Sequence, residues 1–169
     1  MIVFETDRLV VRRLNLDDAG FMLDLLNQPS FLHFIGDRGV RTLEDARTYI
    51  EDRAIAGYEK NGLGPFGVEL KASGDLIGIS SLLKRDELKD VDVGFAFLPE
   101  FWRRGFAVES GIAALDFGFS ELGLERIIAV TQKDNVGSIK TLEKMGMTFE
   151  RMVRLEDDPL DLQLYSIEG

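Results

Sequence analysis

At 169 residues, with no cysteine, one histidine (His33) and a formal net charge of -10, the chain is long enough for a self-sufficient core. It excludes disulfide frameworks, cysteine nucleophiles and thiolate-built zinc sites, and no metal is expected. Its acidity argues against direct nucleic-acid binding and fits an amine-bearing partner, although acidity also serves solubility alone.

Residues 1–7 lack the basic-then-apolar pattern of a signal peptide, and no apolar run approaches a membrane span. The expectation is a cytoplasmic protein without membrane contact, one domain over residues 1–169, monomer or homodimer. Residues 8–14 alternate as a strand. Residues 17–26 carry Phe21, Met22, Leu25 and Leu26 at helical spacing, with Asn15, Asp17 and Asp18 suited to the N-terminus. Residues 28–41, which hold His33, read as irregular. A second helix is expected from Thr42, where Thr42 and Asp45 resemble a capping box, through Ala46, Tyr49, Ile50 and Ile55 to Tyr58.

From Gly64 the period changes to two. Strands are expected at 64–71, 76–83 and 91–98, separated by the turn Ala72-Ser73-Gly74-Asp75 and the charged segment 84–90, which makes an antiparallel meander. A helix then runs from Gly105 to about Leu122, with Val108, Ile112, Leu115, Phe119 and Leu122 as its core stripe. There follow a strand at 126–131, a short helix at 135–144, and strands at 148–155 and 160–166. In the last of these Leu160, Leu162 and Leu164 face one way, and Asp161, Gln163 and Tyr165 the other. The order β-α-α-β-β-β-α-β-α-β-β implies a mixed α+β (α/β) domain, one sheet with helices on its faces. A right-handed crossover would join parallel strands 91–98 and 126–131.

Phe101-Trp102-Arg103-Arg104-Gly105-Phe106-Ala107-Val108-Glu109 follows the third meander strand and opens a helix. The first amides of a helix have no intrahelical acceptor and carry the positive end of its dipole, so a glycine there lets phosphate approach closely. Arg103 and Arg104 would add charge-assisted hydrogen bonds. The plainer reading is a strand-to-helix turn with solvated arginines. Gly62-Leu63-Gly64-Pro65-Phe66-Gly67 matches G-x-G-x-x-G in letters only: it leaves a helix and enters a strand, the reverse of what dinucleotide binding requires. His33 has no nucleophile elbow to serve, which leaves packing, surface exposure or substrate contact.

Asp134-Asn135-Val136-Gly137-Ser138 opens the short helix, with Asn135 as its N-cap, Ile139, Leu142 and Met145 as its buried stripe and Gly146 as its stop. Ser138 lies in the first turn. Alone, this is a well-formed helix.

These two runs and the element order resemble the Gcn5-related N-acetyltransferases, most closely their RimJ/RimL-like branch, from Glu5-Thr6-Asp7-Arg8-Leu9 to the final strand pair. The resemblance implies an acyl-CoA N-acyltransferase fold, mostly antiparallel and twisted, and acetyl-CoA as co-substrate. The family pattern Q/R-x-x-G-x-G/A, which binds the diphosphate, reads here Trp102-Arg103-Arg104-Gly105-Phe106-Ala107. Trp102 departs from it at the first position, as that branch commonly does. By resemblance, the amides of 103–108 hold the diphosphate, and backbone groups near Phe95, Ala96 and Phe97 hold pantetheine on a splayed strand. Gly94 permits a bulge there, and Asn135 lies near the pantetheine arm.

Many members of the family use a tyrosine in the last helix to protonate the thiolate. Here that position is Leu142, which makes Ser138 the candidate in its place. Asp92, where relatives often carry a carboxylate, is the candidate base acting through water; otherwise it is a solvated residue on an exposed strand face. His33, Glu156 and Asp157 are candidates for substrate contact. The implied reaction acetylates a primary amine, on a small molecule or a protein N-terminus as in ribosomal-protein alanine acetylation, by direct attack in a ternary complex. The alternative is a non-catalytic acyl-CoA-binding or sensor domain.

Overall fold

The computed structural model describes residues 1–156 and 158–169. An eight-stranded sheet runs in the order β1-β2-β3-β4-β5-β6-β8-β7. Its strands are β1 (Ile2–Glu5), β2 (Leu9–Arg13), β3 (Gly64–Leu70), β4 (Leu76–Leu83), β5 (Val91–Phe97), β6 (Arg126–Gln132), β7 (Thr148–Arg154) and β8 (Asp161–Glu168). Every neighbouring pair is antiparallel except β5 and β6, the parallel pair joined through a helical crossover.

The helices are α1 (Ala19–Leu26), α2 (Pro29–Phe34), α3 (Leu43–Tyr49), α4 (Ala56–Asn61), α5 (Phe106–Ser120) and α6 (Val136–Lys144). Local chemistry fixes their starts. Asn15 and Asp18 form a reciprocal capping box ahead of α1, as Thr42 and Asp45 do ahead of α3. Asn135 caps α6 by accepting from the Ser138 amide, and Gly146 ends it at φ 94°.

Four expectations are corrected. The segment before residue 8 supplies a further strand, β1, whose four residues are too short an alternation to signal one. Residues 28–41 are not irregular throughout: Pro29 opens α2 after an extended Gln28, a helix start of the kind proline favours. The helix expected at 42–58 runs on to Asn61 and carries a π-helical stretch, Ile50–Ile55, between α3 and α4.

The fourth concerns which side chains face the core. On α5 the buried residues are Phe106, Ser110, Gly111, Ala114, Leu115 and Gly118, whereas Ile112 is 42% exposed and Leu122 36%. Small residues make the contact: a Cβ on Gly111 would stand 2.5 Å from the Met145 sulfur, and one on Gly118 2.7 Å from Ile127. On β8 the sheet is covered on both faces. Leu162 and Leu164 join a cluster with Leu88, Ile128 and Leu155, Tyr165 packs in a separate cluster with Leu142 and Met147, and Leu160 is half exposed before the strand begins.

Candidate active site

The parallel pairing of β5 and β6 has a short register, Val91 with Ile127 and Asp92 with Ile128. Beyond that point the strands part. On its other edge β5 stays in unbroken register with β4 from Asp92 to Phe97. The Leu98 amide donates to the Ile77 carbonyl at 3.0 Å, which makes 98 and 77 a hydrogen-bonded pair and sets the alternation back along the strand. The N–H and C=O of Ala96 therefore point into β4, while those of Phe95 and Phe97 point into the opening. The bulge expected at Gly94 is absent. Glycine serves there because a Cβ would stand 2.8 Å from the Ser81 hydroxyl on β4.

A 3-10 turn, Pro99–Phe101, carries the chain from β5 towards α5. Trp102 donates its indole N–H to the Phe97 carbonyl at 2.8 Å, so that only the Phe95 carbonyl and the amides of Phe95 and Phe97 remain to line the opening. Arg103 and Gly105 have φ of 61° and 83° with Arg104 between them at negative φ, an alternation that turns successive amides to one side. The Phe106, Ala107 and Val108 amides, in the first turn of α5, have no intrahelical acceptor. Arg103 and Arg104 are exposed, the latter with its guanidinium 5.5 Å from the Phe101 ring centre. The structure thus brings a strand edge and an amide concavity to one end of one cleft.

At the start of α6, Asn135 Oδ1 accepts from the Ser138 amide at 3.2 Å, which leaves the Asn135 amide group and the Ser138 hydroxyl for other partners. Leu142 is 1% exposed and sits in the core beside Met145 and Met147, where no polar group would be tolerated without a partner.

Asp92 stands where β5 and β6 begin to part. It is not solvated: it is 2% exposed and accepts from Arg85 Nε at 2.7 Å. Burial pushes its carboxyl above the ordinary aspartate range, against the opposing pull of Arg85. His33 is exposed, its ring 4.5 Å from that of Phe34, and its carbonyl faces Gln132 Nε2 at 3.5 Å, at the carboxyl end of β6. Glu156 is exposed in the β7–β8 turn, and its amide donates to Glu87 at 2.6 Å, joining that turn to the one between β4 and β5. Asp157 lies outside the described residues.

Residues 8–148 match the acetyltransferase (GNAT) domain family. The chain belongs to the GNAT acetyltransferases. It is 32% identical over 170 residues to YoaA, an uncharacterized N-acetyltransferase of Bacillus subtilis, covering 98% of this chain and 96% of that one. Among solved structures, a GNAT-family acetyltransferase from Bacillus anthracis superposes with a TM-score of 0.82 at 26% identity, covering 99% and 98% of the two chains. RimL, a ribosomal L7/L12 alpha-N-protein acetyltransferase solved with coenzyme A, superposes at 0.85 over 99% and 98%; at 15% identity this likeness speaks for the fold.

Acetyl-CoA is the acetyl donor of GNAT enzymes, and the donor set here suits it: a left-handed glycine, outward amides, exposed arginines and a free strand edge. One group at this GNAT cleft had no signal in local sequence. Glu109, in the first turn of α5, accepts from the Thr6 hydroxyl, from the Arg8 amide at 3.1 Å and from Arg8 Nε at 2.7 Å. Burial raises the Glu109 carboxyl, but these bonds together hold it below its ordinary range. The pairing spans 101 residues, and an acidic residue in a helix first turn is otherwise explained by the helix dipole alone. No helix among the described residues is long and apolar enough to cross a membrane.

Proposed function

We propose that the protein, acting as one domain over residues 1–169, transfers the acetyl group of acetyl-CoA to a primary amine in a ternary complex. The observation that carries this reading is the parting of β5 from β6 beside the left-handed Gly105 loop. The cleft has a hydrogen-bonding edge for an amide-bearing chain along the end of β5 and, adjoining it, an anion cradle at the Gly105 loop. When bound, acetyl-CoA supplies an acetyl thioester. The amides of residues 103–108 and the Arg103 and Arg104 side chains hold its diphosphate, and the backbone edge of Phe95 and Phe97 takes the pantetheine amides. Ala96 contributes to this edge only as the spacer that keeps β5 on β4. The Asn135 side-chain amide faces the pantetheine from α6.

A strand amide of this edge that the pantetheine leaves unused polarises the thioester carbonyl. Ser138, at the mouth of α6, gives a proton or hydrogen bond to the departing thiolate in place of a tyrosine at 142. Asp92, with its raised affinity for a proton, accepts the amine's proton through water. The acceptor is a small-molecule amine or a protein N-terminus, with His33 and Glu156 at the acceptor side. An α-amine, with pKa about 7.7–8.0, needs less from the base than a lysine-like ammonium at about 10.4.

The test is acetyl transfer by the purified protein to a panel of α-amines, polyamines and peptide N-termini, followed by thiol release. Turnover of one class establishes the reaction and its acceptor. Tight CoA binding with no turnover on any amine would overturn it in favour of an acyl-CoA sensor.

A further inference from the structure

We propose that Arg8, in the turn between β1 and β2, is a direct ligand of the CoA diphosphate and completes the cradle formed by the Gly105 loop. This rests on the assignment of that loop to CoA, and adds a residue from the far end of the sequence. The Arg8 guanidinium is held on two sides. Its Nε bonds Glu109 at 2.7 Å, and its central carbon lies 4.3 Å from the centre of the Phe106 ring. Together these fix both the position and the plane of the fork, so little side-chain entropy is left to lose on binding. Nη2 then stands 3.4 Å from the point a Cβ on Gly105 would occupy, over the glycine of the loop. Among the described residues the two η nitrogens carry no hydrogen bond, and the side chain is 47% exposed.

Electrostatics require such a group. Glu109 suits the positive end of α5 but opposes an incoming diphosphate at the same helix end. An arginine whose guanidinium meets it through Nε alone cancels that charge and still presents its η nitrogens outward. These are suited to two phosphate oxygens at once.

Calorimetry with CoA and with dephospho-CoA, which lacks the 3′-phosphate, tests the assignment on wild type, Arg8→Ala, Arg8→Lys and the double variant Arg8→Ala/Glu109→Gln. Thermal melts verify that each is folded. The expected result is a loss of about tenfold or more for both ligands in Arg8→Ala, the scale of one lost charge-assisted bond. The salt dependence of Kd should also become shallower, which a merely structural role would not change. The double variant should stay weak. Recovery of wild-type affinity in the double variant would show that Arg8 only neutralises Glu109, and a loss confined to CoA would move Arg8 to the 3′-phosphate; either result overturns the proposal. If Arg8→Ala does not fold, Arg8→Lys decides: it keeps the charge and loses the fork, so an unchanged Kd for both ligands refutes direct contact and a several-fold loss supports it. Failure of the wild type to bind CoA would instead refute the assignment of the loop, a separate outcome.

Discussion

The Trp102 indole closes on the carbonyl of Phe97, 2.8 Å away, and so ties the end of β5 to the loop that begins α5. The family pattern has a glutamine or arginine at this position. Here an aromatic donor, itself 46% exposed, performs a backbone-anchoring task, which fixes the spacing between the strand edge and the amide concavity. Trp102→Phe keeps the ring and removes the donor. It is expected to weaken CoA binding about fivefold, the effect of one neutral hydrogen bond of about 1 kcal/mol, with a small fall in Tm. Unchanged affinity by calorimetry would show that the Pro99–Phe101 turn sets the spacing unaided.

Gly105 has φ of 83°, where a Cβ costs about 1–2 kcal/mol. That Cβ would also stand 3.4 Å from Arg8 Nη2. Gly105→Ala is therefore expected to lower stability by about that amount and to weaken CoA binding further than its Tm change accounts for. The two effects are separable by measuring Kd well below Tm. An affinity equal to wild type in the folded variant would place the diphosphate elsewhere.

Much of this was legible in sequence where the cause is local. The capping residues Asn15, Thr42 and Asn135 and the stop at Gly146 act within four residues of their own position, and each was found. The turn-to-helix form of residues 103–108 is legible for the same reason, since its glycine and the following helix are contiguous. What escaped is contact between distant segments. The Thr6–Arg8–Glu109 tie joins the first hairpin to α5 with nothing nearby to announce it. The burial of Asp92 depends on Arg85 reaching back from the β4–β5 turn. The exposed Ile112 has the same cause, since α5 packs on the end of α6 through Gly111 and on β6 through Gly118, glycines that a hydrophobicity count ignores.

Ser138 sits in the first turn of α6 with its amide engaged by Asn135, and its proposed role is to meet the departing thiolate with its hydroxyl. Ser138→Ala leaves that capping bond in place because the bond uses the backbone. The expected outcome is a fall in kcat of about tenfold or more with CoA affinity unchanged, the signature of a contact made in the transition state. Full kcat would show that the proton comes from water.

Glu109 lies below its ordinary pKa, so its ion pair and hydrogen bonds stabilise the fold fully above the unfolded value near 4.3 and are lost as pH falls through the depressed folded value. Glu109→Gln is expected to lower stability at pH 7 by about 1 kcal/mol, a figure kept small because Arg8 is half exposed. Melts of both proteins should converge below pH 4. A constant difference down to pH 2 would mean that the charge contributes nothing.

Asp92 has the opposite sign. Its folded pKa is raised by burial, so the folded state binds the proton more tightly, and stability falls as pH climbs from about 3.9, the unfolded value, through the folded one. Asp92→Asn removes that penalty, and its Tm at pH 7 is expected to match or exceed wild type even though Arg85 loses its partner. Activity should behave differently. The proposed base acts only when ionised, so wild-type turnover is expected to rise as pH passes the raised pKa of Asp92, and the variant to lack this limb. Between that pKa and the pKa of the amine the variant is expected to be slowest relative to wild type, by about 100-fold or more. It should recover as pH rises further and neutral amine becomes abundant. A loss of equal size at every pH, with a lowered Tm, would assign Asp92 to the fold alone.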